Sequence, residues 1–202
     1  MALRKILERK EPVLYKVSHP VTSFDEKLHD LIEDMRETLA ESGGVGLAAP
    51  QIGILRRVVL VMNEQDEVLE LVNPEIIYTE GEQTGLEGCL SVPGLYGEVT
   101  RPYRVRVRAQ DRNGNFFEVE DVELTARCFC HECEHLDGHL FTEHTDRLYT
   151  IDELEEMEQD DCCVSFFWAP LILRCRPFGR LWRPDTMCAV HLLSLINPKT
   201  AV

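Results

Sequence analysis

The stretch HECEH, from His131 to His135, is the segment of the chain that constrains the fold most strongly. Its two histidines are four residues apart, so on a helix they lie on one face, one turn from each other. Two such imidazoles can share one metal ion, which lowers the pKa of a bound water, and the neighbouring Glu132 can accept its proton. The pattern HExxH therefore indicates a hydrolytic metal site. The structural alternative is a surface helix turn with two exposed histidines.

A catalytic site of this type needs a third protein ligand and an open position for water. His139 directly follows Gly138, a spacing that differs from that of the metzincin peptidases. Glu143 and His144 are available downstream, but their spacing from the motif is not diagnostic of any site. The third ligand therefore has to be sought elsewhere in the chain.

Two glycine-bearing segments lie upstream of this motif: GVGLAAPQIG at residues 44–53 and EGCLSVPG at residues 87–94. Each can form a turn of small residues that brings backbone amides close to a ligand. The first contains Gln51, whose amide is a hydrogen-bond donor, and the second contains Cys89, a natural soft metal ligand. Taken alone, each segment is as well explained by a tight structural turn.

Together and in this order, GVGLAAPQ, EGCLSVPG and HExxH resemble the three signature motifs of the peptide deformylase family, over roughly residues 1–160. The resemblance implies one divalent metal ion, usually Fe(II), with zinc, nickel or cobalt able to substitute. The implied metal ligands are Cys89, His131 and His135. A Cys-His-His site suits several divalent metals, so the residues themselves do not select among them.

The resemblance also implies roles for residues that do not bind the metal. Glu132 is expected to act as general base and later as general acid. The Gln51 side chain and the Leu90 backbone N–H are expected to form the oxyanion hole. Gly46 is expected to position the backbone of the substrate. Apart from the resemblance, the apolar Val45 beside it and the Leu95-Tyr96 segment are candidates for lining the methionine pocket.

The implied activity is hydrolytic removal of the formyl group from N-formylmethionyl nascent peptides, with release of formate and transient contact with the ribosome. The formal net charge of −15 argues against nucleic acid as a substrate. The sequence contains no run of about 18 apolar residues, so no membrane span is expected. The N-terminus lacks the features of a secretory signal, which predicts a cytoplasmic protein with reduced cysteines.

The pattern of the remaining chain predicts an α+β fold, in which the resemblance places antiparallel sheets around a central HExxH helix. One helix should start at a Ser23 cap and run to about Ser42, and a second should run from residues 123–125 to Gly138. A short acidic helix is expected over residues 151–157. Strand-like runs occupy the chain between the first two helices: 58–62, 69–72, 76–78, 105–109 and 116–119, the last two joined by a turn at 111–114.

Several features differ from the usual family pattern or leave alternatives open. Many members have Gln before the first histidine and Asp before the second, where this chain has Cys130 and Glu134. Cys130 should point to a different face of the helix from His131, so we do not expect it to be a ligand. Glu87 is expected to pair with Arg101, and a solvated pair of little energetic value is the alternative.

The composition changes after residue 161, which predicts a catalytic domain over 1–161 and an atypical tail over 162–202. The tail contains both tryptophans and four of the eight cysteines. We hypothesise that it is a frameshift product and poorly ordered, which the nucleotide sequence would test.

Two other functions compete with deformylation. An HExxH zinc peptidase would take its third ligand from downstream of the motif. A non-catalytic, deformylase-like peptide-binding protein has no need of a base, so the intact Glu132 argues against it.

Overall fold

The computed structural model describes residues 2–164, which form two antiparallel sheets and three α-helices. The elements are α1 (Glu26–Ser42), β1 (Gly46–Ala48), β2 (Val58–Met62), β3 (Val68–Glu80), β4 (Gln83–Cys89), β5 (Val92–Arg101), β6 (Arg104–Gln110), β7 (Phe116–Val122), α2 (Glu123–Asp137), β8 (Leu148–Thr150) and α3 (Ile151–Val164). Five strands form one sheet in the order β1-β2-β3-β6-β7, and three form another in the order β4-β5-β8. The predicted α+β class is confirmed.

Helix α1 follows its local sequence signals closely. The side chain of Asp25 caps it by accepting hydrogen bonds from the N–H groups of Lys27 and Leu28, at 3.1 and 3.2 Å. The predicted cap at Ser23 is wrong, because the Ser23 hydroxyl contacts the Asp25 carboxylate instead, at 3.1 Å. Gly43 ends the helix in the left-handed conformation, with φ of 69°. The helix buries a stripe of apolar residues: Leu28, Leu31, Ile32, Met35 and Leu39.

Strand β3 joins two runs that the sequence suggested were separate. Residues 69–72 and 76–78 lie in one strand, whose register with β6 shifts between Val72 and Glu75. Asn73 causes the irregularity: its φ is 53°, and its side chain accepts a hydrogen bond from the N–H of Val21 at 2.8 Å.

Helix α2 packs across the five-stranded sheet, so the HExxH motif lies in the interior. Its apolar residues Ala126 and Phe129 share one core cluster with Val59, Val105 and Val107 of the sheet. Gly138, with φ of 84°, ends the helix and donates its N–H to carbonyls of the last turn. The predicted central helix and its end at Gly138 are confirmed.

The segment EGCLSVPG forms the tip of the β4–β5 hairpin. Glu87 and Cys89 lie in the last three residues of β4, and β5 begins at Val92. The register shifts between Gly88 and Cys89, where Cys89 pairs with Val92. A tight turn accounts only for the two residues between the strands, so most of this segment is sheet.

The predicted boundary between residues 161 and 162 falls within α3, and residues 165–202 lie outside the described part of the chain. The proposed origin and order of the tail therefore stay predictions. Within residues 2–164, each helix is too short or too polar to cross a membrane. Cys89, Cys128, Cys130 and Cys133 are free thiols.

Candidate metal centre

Three donor groups converge between the β4–β5 hairpin and α2. Cys89 comes from the end of β4, while His131 and His135 lie one turn apart on α2. Their ligand atoms all lie within 4.8 Å of one another, and the three residues are buried. The Cys89 Sγ is 3.3 Å from the Nε2 of His135. The two imidazole rings meet edge to face, with centroids 4.9 Å apart.

Glu87 orients the first histidine. Its Oε2 lies 3.1 Å from the Nδ1 of His131, which places the proton on Nδ1 and leaves Nε2 free. The buried Nε2 has no hydrogen-bond partner among the described residues. Arg101 donates to both Glu87 oxygens, at 3.0 and 3.1 Å. The predicted Glu87–Arg101 pair is present, and it is buried rather than solvated.

The protonation of the centre follows from burial. Burial lowers the pKa of His135 well below its usual range, so its imidazole is neutral, as a metal ligand must be. Burial raises the pKa of the Cys89 thiol to about 12. A divalent cation at this point would reverse that effect and favour the thiolate. One sulfur and two imidazoles fit a single divalent metal ion, with a fourth position left for water or substrate.

Glu132 faces the same region without contributing to the donor cluster. Its carboxylate oxygens are buried and have no hydrogen-bond partner within the described residues. Burial and the negative charge of Glu87 raise the pKa of Glu132 well above its usual range. A Cβ atom added at Gly46 would lie 2.3 Å from Glu132 Oε1. The absence of a side chain at Gly46 therefore makes room for this carboxyl group.

Gln51 directs its side-chain amide N–H₂ group toward Cys89. Its Oε1 accepts a hydrogen bond from the N–H of Ala48 at 2.8 Å, which fixes the amide orientation. Its Nε2 then points at the Cys89 Sγ, at 3.6 Å, and at the Ser91 Oγ, at 3.3 Å. Leu90 lies between Cys89 and Ser91, so its backbone N–H belongs to the same hairpin tip.

Val45 lies beside Gly46 and lines a cavity of about 440 Å³. The walls of this cavity come from the end of α1, the β2–β3 connection and the start of α2. Its apolar lining residues include Leu39, Val45, Met62 and Leu124. The position of the cavity next to Gly46 makes it a candidate for holding an apolar side chain of a substrate.

The downstream residues that an HExxH peptidase would use lie apart from the donor cluster. His139 pairs with Glu143 at 2.8 Å, and both side chains are about half exposed. His144 contacts Glu134 at 3.1 Å. Cys130 packs in the core cluster under α2. Among the described residues, the potential metal-binding group consists of Cys89 and the two motif histidines.

Two residues at the site were missed by sequence reasoning. Ser91 is fully buried, and its N–H points at the Cys89 Sγ at 3.4 Å. Arg127 is buried on α2 and donates to Glu87 Oε1 at 2.8 Å. Only Arg127 had a usable signal, since it precedes His131 by four residues and so shares its helix face.

The profile of the family described as polypeptide deformylase matches residues 3–150 of the chain. The chain belongs to the polypeptide deformylase family. A peptide deformylase of Caldanaerobacter subterraneus subsp. tengcongensis is 49% identical over 159 residues, which cover 79% of this chain and 99% of that relative.

Solved peptide deformylase structures share the fold. The enzyme from Thermotoga maritima is 37% identical, with a TM-score of 0.70, and the match covers 73% of this chain and 100% of that one. A Met-Ala-Ser-bound peptide deformylase of class I type b from Acinetobacter baumannii is 33% identical, with a TM-score of 0.67, over 71% of this chain and 98% of that one.

Family membership confirms the activity predicted from the three motifs. The chain is a hydrolase that removes the N-formyl group from nascent peptides, and deformylases are metalloenzymes. The described residues provide a group able to hold one metal ion. These comparisons define the reaction, while the roles of individual residues rest on the geometry of this chain.

Proposed function

We propose that this chain deformylates N-formylmethionyl peptides at one divalent metal ion held by Cys89, His131 and His135. The convergence of these three donors, from a strand and a helix far apart in sequence, is the observation that carries the proposal. Glu132 lies beside them with its carboxylate unused as a ligand. A site of this composition separates metal binding from proton transfer, as metal-assisted hydrolysis requires.

A divalent ion in this site supplies a Lewis acid and lowers the pKa of water. Glu132 accepts a proton at its carboxylate and later delivers it to the departing amine. Its pKa, raised by burial and by the charge of Glu87, moves toward the range in which a carboxyl group can both accept and donate a proton. Within the HExxH motif, Glu132 therefore serves as both the base and the acid.

Gln51 and Leu90 stabilise the oxyanion that develops on the formyl oxygen. The Gln51 Nε2 is already aimed at the Cys89 side, because its Oε1 is held by the Ala48 N–H. The backbone N–H of Leu90 comes from the hairpin tip next to Cys89. Removal of one such donor typically costs about 2.7–4 kcal/mol in the barrier.

Gly46 and Val45 bind the substrate. Gly46 lies in β1, the edge strand of the five-stranded sheet, so an extended peptide can pair with its free side. The cavity lined by Val45 and Leu124 accommodates the methionine side chain. The Met-Ala-Ser-bound deformylase structure supports a short peptide as the occupant.

Fe(II) is the proposed native metal, and zinc, nickel or cobalt can replace it, since one thiolate and two imidazoles suit each of them. The substrate is presented as a nascent chain, so we propose transient contact with the ribosome and a cytoplasmic location. The acidic net charge of −15 is consistent with a peptide rather than a nucleic acid as the substrate.

Formate release from formyl-Met-Ala-Ser by protein loaded with Fe(II) without oxygen, or with Ni(II), tests the proposal. We expect turnover of this peptide and none of acetyl-Met-Ala-Ser. The Cys89→Ala variant should lose both bound metal and activity.

Two results would support the competing functions instead. Retention of metal by Cys89→Ala, with cleavage of internal peptide bonds, would indicate an HExxH peptidase. Binding of the formyl peptide by the metal-loaded wild type without formate release would indicate a non-catalytic binding protein.

A further inference from the structure

Arg127 is a charged residue inside the protein, on the face of α2 that carries the histidines. It precedes His131 by four residues, so one helical turn separates the two side chains. The Arg127 side chain is only 6% exposed. Burial of a guanidinium is costly unless it is paired and hydrogen-bonded. Its contacts therefore show what its burial achieves.

All these contacts lead from α2 to the β4–β5 hairpin. The Arg127 Nη1 donates to Glu87 Oε1 at 2.8 Å and to the carbonyl of Val99 at 3.0 Å. Its Nη2 donates to the carbonyl of Gln83 at 3.3 Å. A Cβ atom added at Gly85 would lie 3.4 Å from this Nη2. The guanidinium thus fastens the helix to both strands of the hairpin.

Glu87 connects Arg127 to the metal centre in two ways. Its Oε1 contacts Arg127, and its Oε2 lies 3.1 Å from His131 Nδ1. Glu87 is also two residues before Cys89 on β4, and residues two apart on a strand share a face. The position of Glu87 therefore affects both the ring of His131 and the strand that carries the Cys89 sulfur.

We propose that Arg127 is a positioning residue for the metal centre. It holds Glu87 and the β4–β5 hairpin in a fixed place on α2, so that the His131 ring and the Cys89 thiolate stay at one separation. The inference rests on the proposed function, because it assigns those two residues as ligands. Residues that orient metal ligands in this way typically change metal affinity by about 10–100-fold when they are replaced.

Arg101 contacts the same carboxylate but holds it differently. Arg101 lies on β5, so its bonds to Glu87 stay within the hairpin, and it reaches α2 through the partly exposed Glu134. Arg127 instead uses its remaining donors on main-chain carbonyls of the hairpin. Loss of Arg127 therefore leaves Glu87 paired with Arg101. The charge of Glu87 stays balanced, but the positions of the proposed metal ligands are less firmly fixed.

The variants Arg127→Met and Arg127→Lys test this role, with Arg106→Met as the matched control. Arg106 lies on β6 with its side chain 44% exposed and pairs with Glu120. The measurements are Co(II) affinity by competition with a chelator, the visible spectrum of the Co(II) protein, and kcat and KM for formyl-Met-Ala-Ser.

We expect Arg127→Met to weaken Co(II) binding about 10–100-fold, to change the Co(II) spectrum and to lower kcat more than it changes KM. Arg127→Lys should recover part of the affinity, because an ammonium can still reach Glu87 but not all the carbonyls. Arg106→Met should match the wild type in every measurement.

A purely structural role predicts a different result: Arg127→Met would unfold more easily but bind Co(II) with wild-type affinity and spectrum, which overturns the proposal. If Arg127→Met does not fold, the same comparison on Arg127→Lys decides the matter, with wild-type affinity and spectrum again counting against it. Failure of the wild type itself to bind Co(II) or release formate would instead refute the proposed function.

Discussion

Helices α1 and α2 differ in how they begin and in what they bury. Helix α1 has a capping side chain at Asp25, a glycine at its end and a buried stripe composed largely of apolar residues. Helix α2 starts after Val122 without a side-chain cap, and its first residue, Glu123, has a φ of 52°. Its buried residues include two histidines, a glutamate and an arginine.

This difference shows where the chain gives up stability for chemistry. A buried carboxylate that finds no hydrogen-bond partner in the described part of the chain, such as Glu132, disfavours folding. An apolar side chain such as Met35 in the same environment favours it. Proteins break the local rules of folding mostly at functional sites. We therefore expect substitutions in the part of α1 before Leu39 to affect stability alone, and substitutions in the polar face of α2 to separate stability from activity.

The largest effect should come from Glu132→Gln, which keeps the shape of the side chain and removes the proposed base. Loss of a general base typically costs about 10²–10⁴-fold in rate. We expect formate release to fall by at least about 10²-fold, while the metal content stays that of the wild type. The control is Glu41→Gln, an exposed position on α1, which should leave the rate unchanged.

The same variant should stabilise the metal-free protein. The pKa of Glu132 is raised in the folded state, so above the unfolded value of about 4.3 the folded protein binds a proton that the unfolded chain has released. Wild-type stability therefore falls as pH rises from the unfolded pKa of Glu132 to its higher folded pKa. Glu132→Gln removes this fall in stability. Urea unfolding between pH 5 and pH 8 would count against this account if both proteins showed the same pH dependence.

Glu87→Gln should have the next largest effect, on stability. The substitution leaves the buried Arg101 and Arg127 without their shared carboxylate, and breaking a buried ion pair costs about 3–5 kcal/mol. Urea unfolding at pH 7 measures this loss. In contrast, Glu118→Gln breaks the exposed pair with Arg108 and should cost under about 1 kcal/mol. Equal costs for the two variants would contradict the account.

The cost of Glu87→Gln should also depend on pH. Burial works against the charged form of Glu87, yet hydrogen bonds from His131 and Arg101 hold its pKa well below the usual range. A lowered pKa contributes stability that is present above the unfolded value of about 4.3 and is lost as pH falls below it. The difference between wild type and variant should therefore shrink below about pH 4.3. A constant difference would argue against a charged Glu87.

In α1, Met35→Ala should cost about 2–5 kcal/mol in the free energy of unfolding, because it leaves a cavity in a fully buried position. Since α1 contributes no side chain to the donor cluster, kcat and KM of the folded, metal-loaded variant should equal those of the wild type. A fall in kcat with full metal content would show that α1 also shapes the site.

Asp25→Ala should have the smallest effect, about 1 kcal/mol of lost stability, because it removes the N-cap of α1. Activity should be unchanged. Ser23→Ala provides the matched comparison, since the Ser23 hydroxyl donates to the capping carboxylate at 3.1 Å. A larger loss of stability from Ser23→Ala than from Asp25→Ala would indicate that Ser23 is the N-cap, as the sequence suggested.

The contrast between the helices also explains what could be predicted from the sequence. The stripe of α1, the apolar run of β2 and the turn between β6 and β7 depend on residues that are close in the chain. Their helical spacing, alternation and turn residues therefore indicate the right elements. The cap of α1 was misplaced because Ser23 and Asp25 are both good capping residues and only the backbone geometry distinguishes them.

The metal centre depends on contacts between distant residues, which local patterns do not show. The spacing of His131 and His135 indicated two ligands, but the third position could be assigned to Cys89 only through the resemblance to deformylases. The hairpin that carries Cys89 looked like a turn because its glycines weaken the strand signal. Arg127 was overlooked because an arginine on a helix is usually exposed.

The most direct test of the account is X-ray absorption at the metal edge of the zinc-loaded wild type and of Cys89→Ala. The account predicts one sulfur at about 2.3 Å and two imidazole nitrogens at about 2.0–2.1 Å in the wild type, and no sulfur for any metal retained by the variant. A wild-type spectrum without sulfur, or an unchanged spectrum in Cys89→Ala, would contradict the assignment of Cys89, His131 and His135 as one metal site.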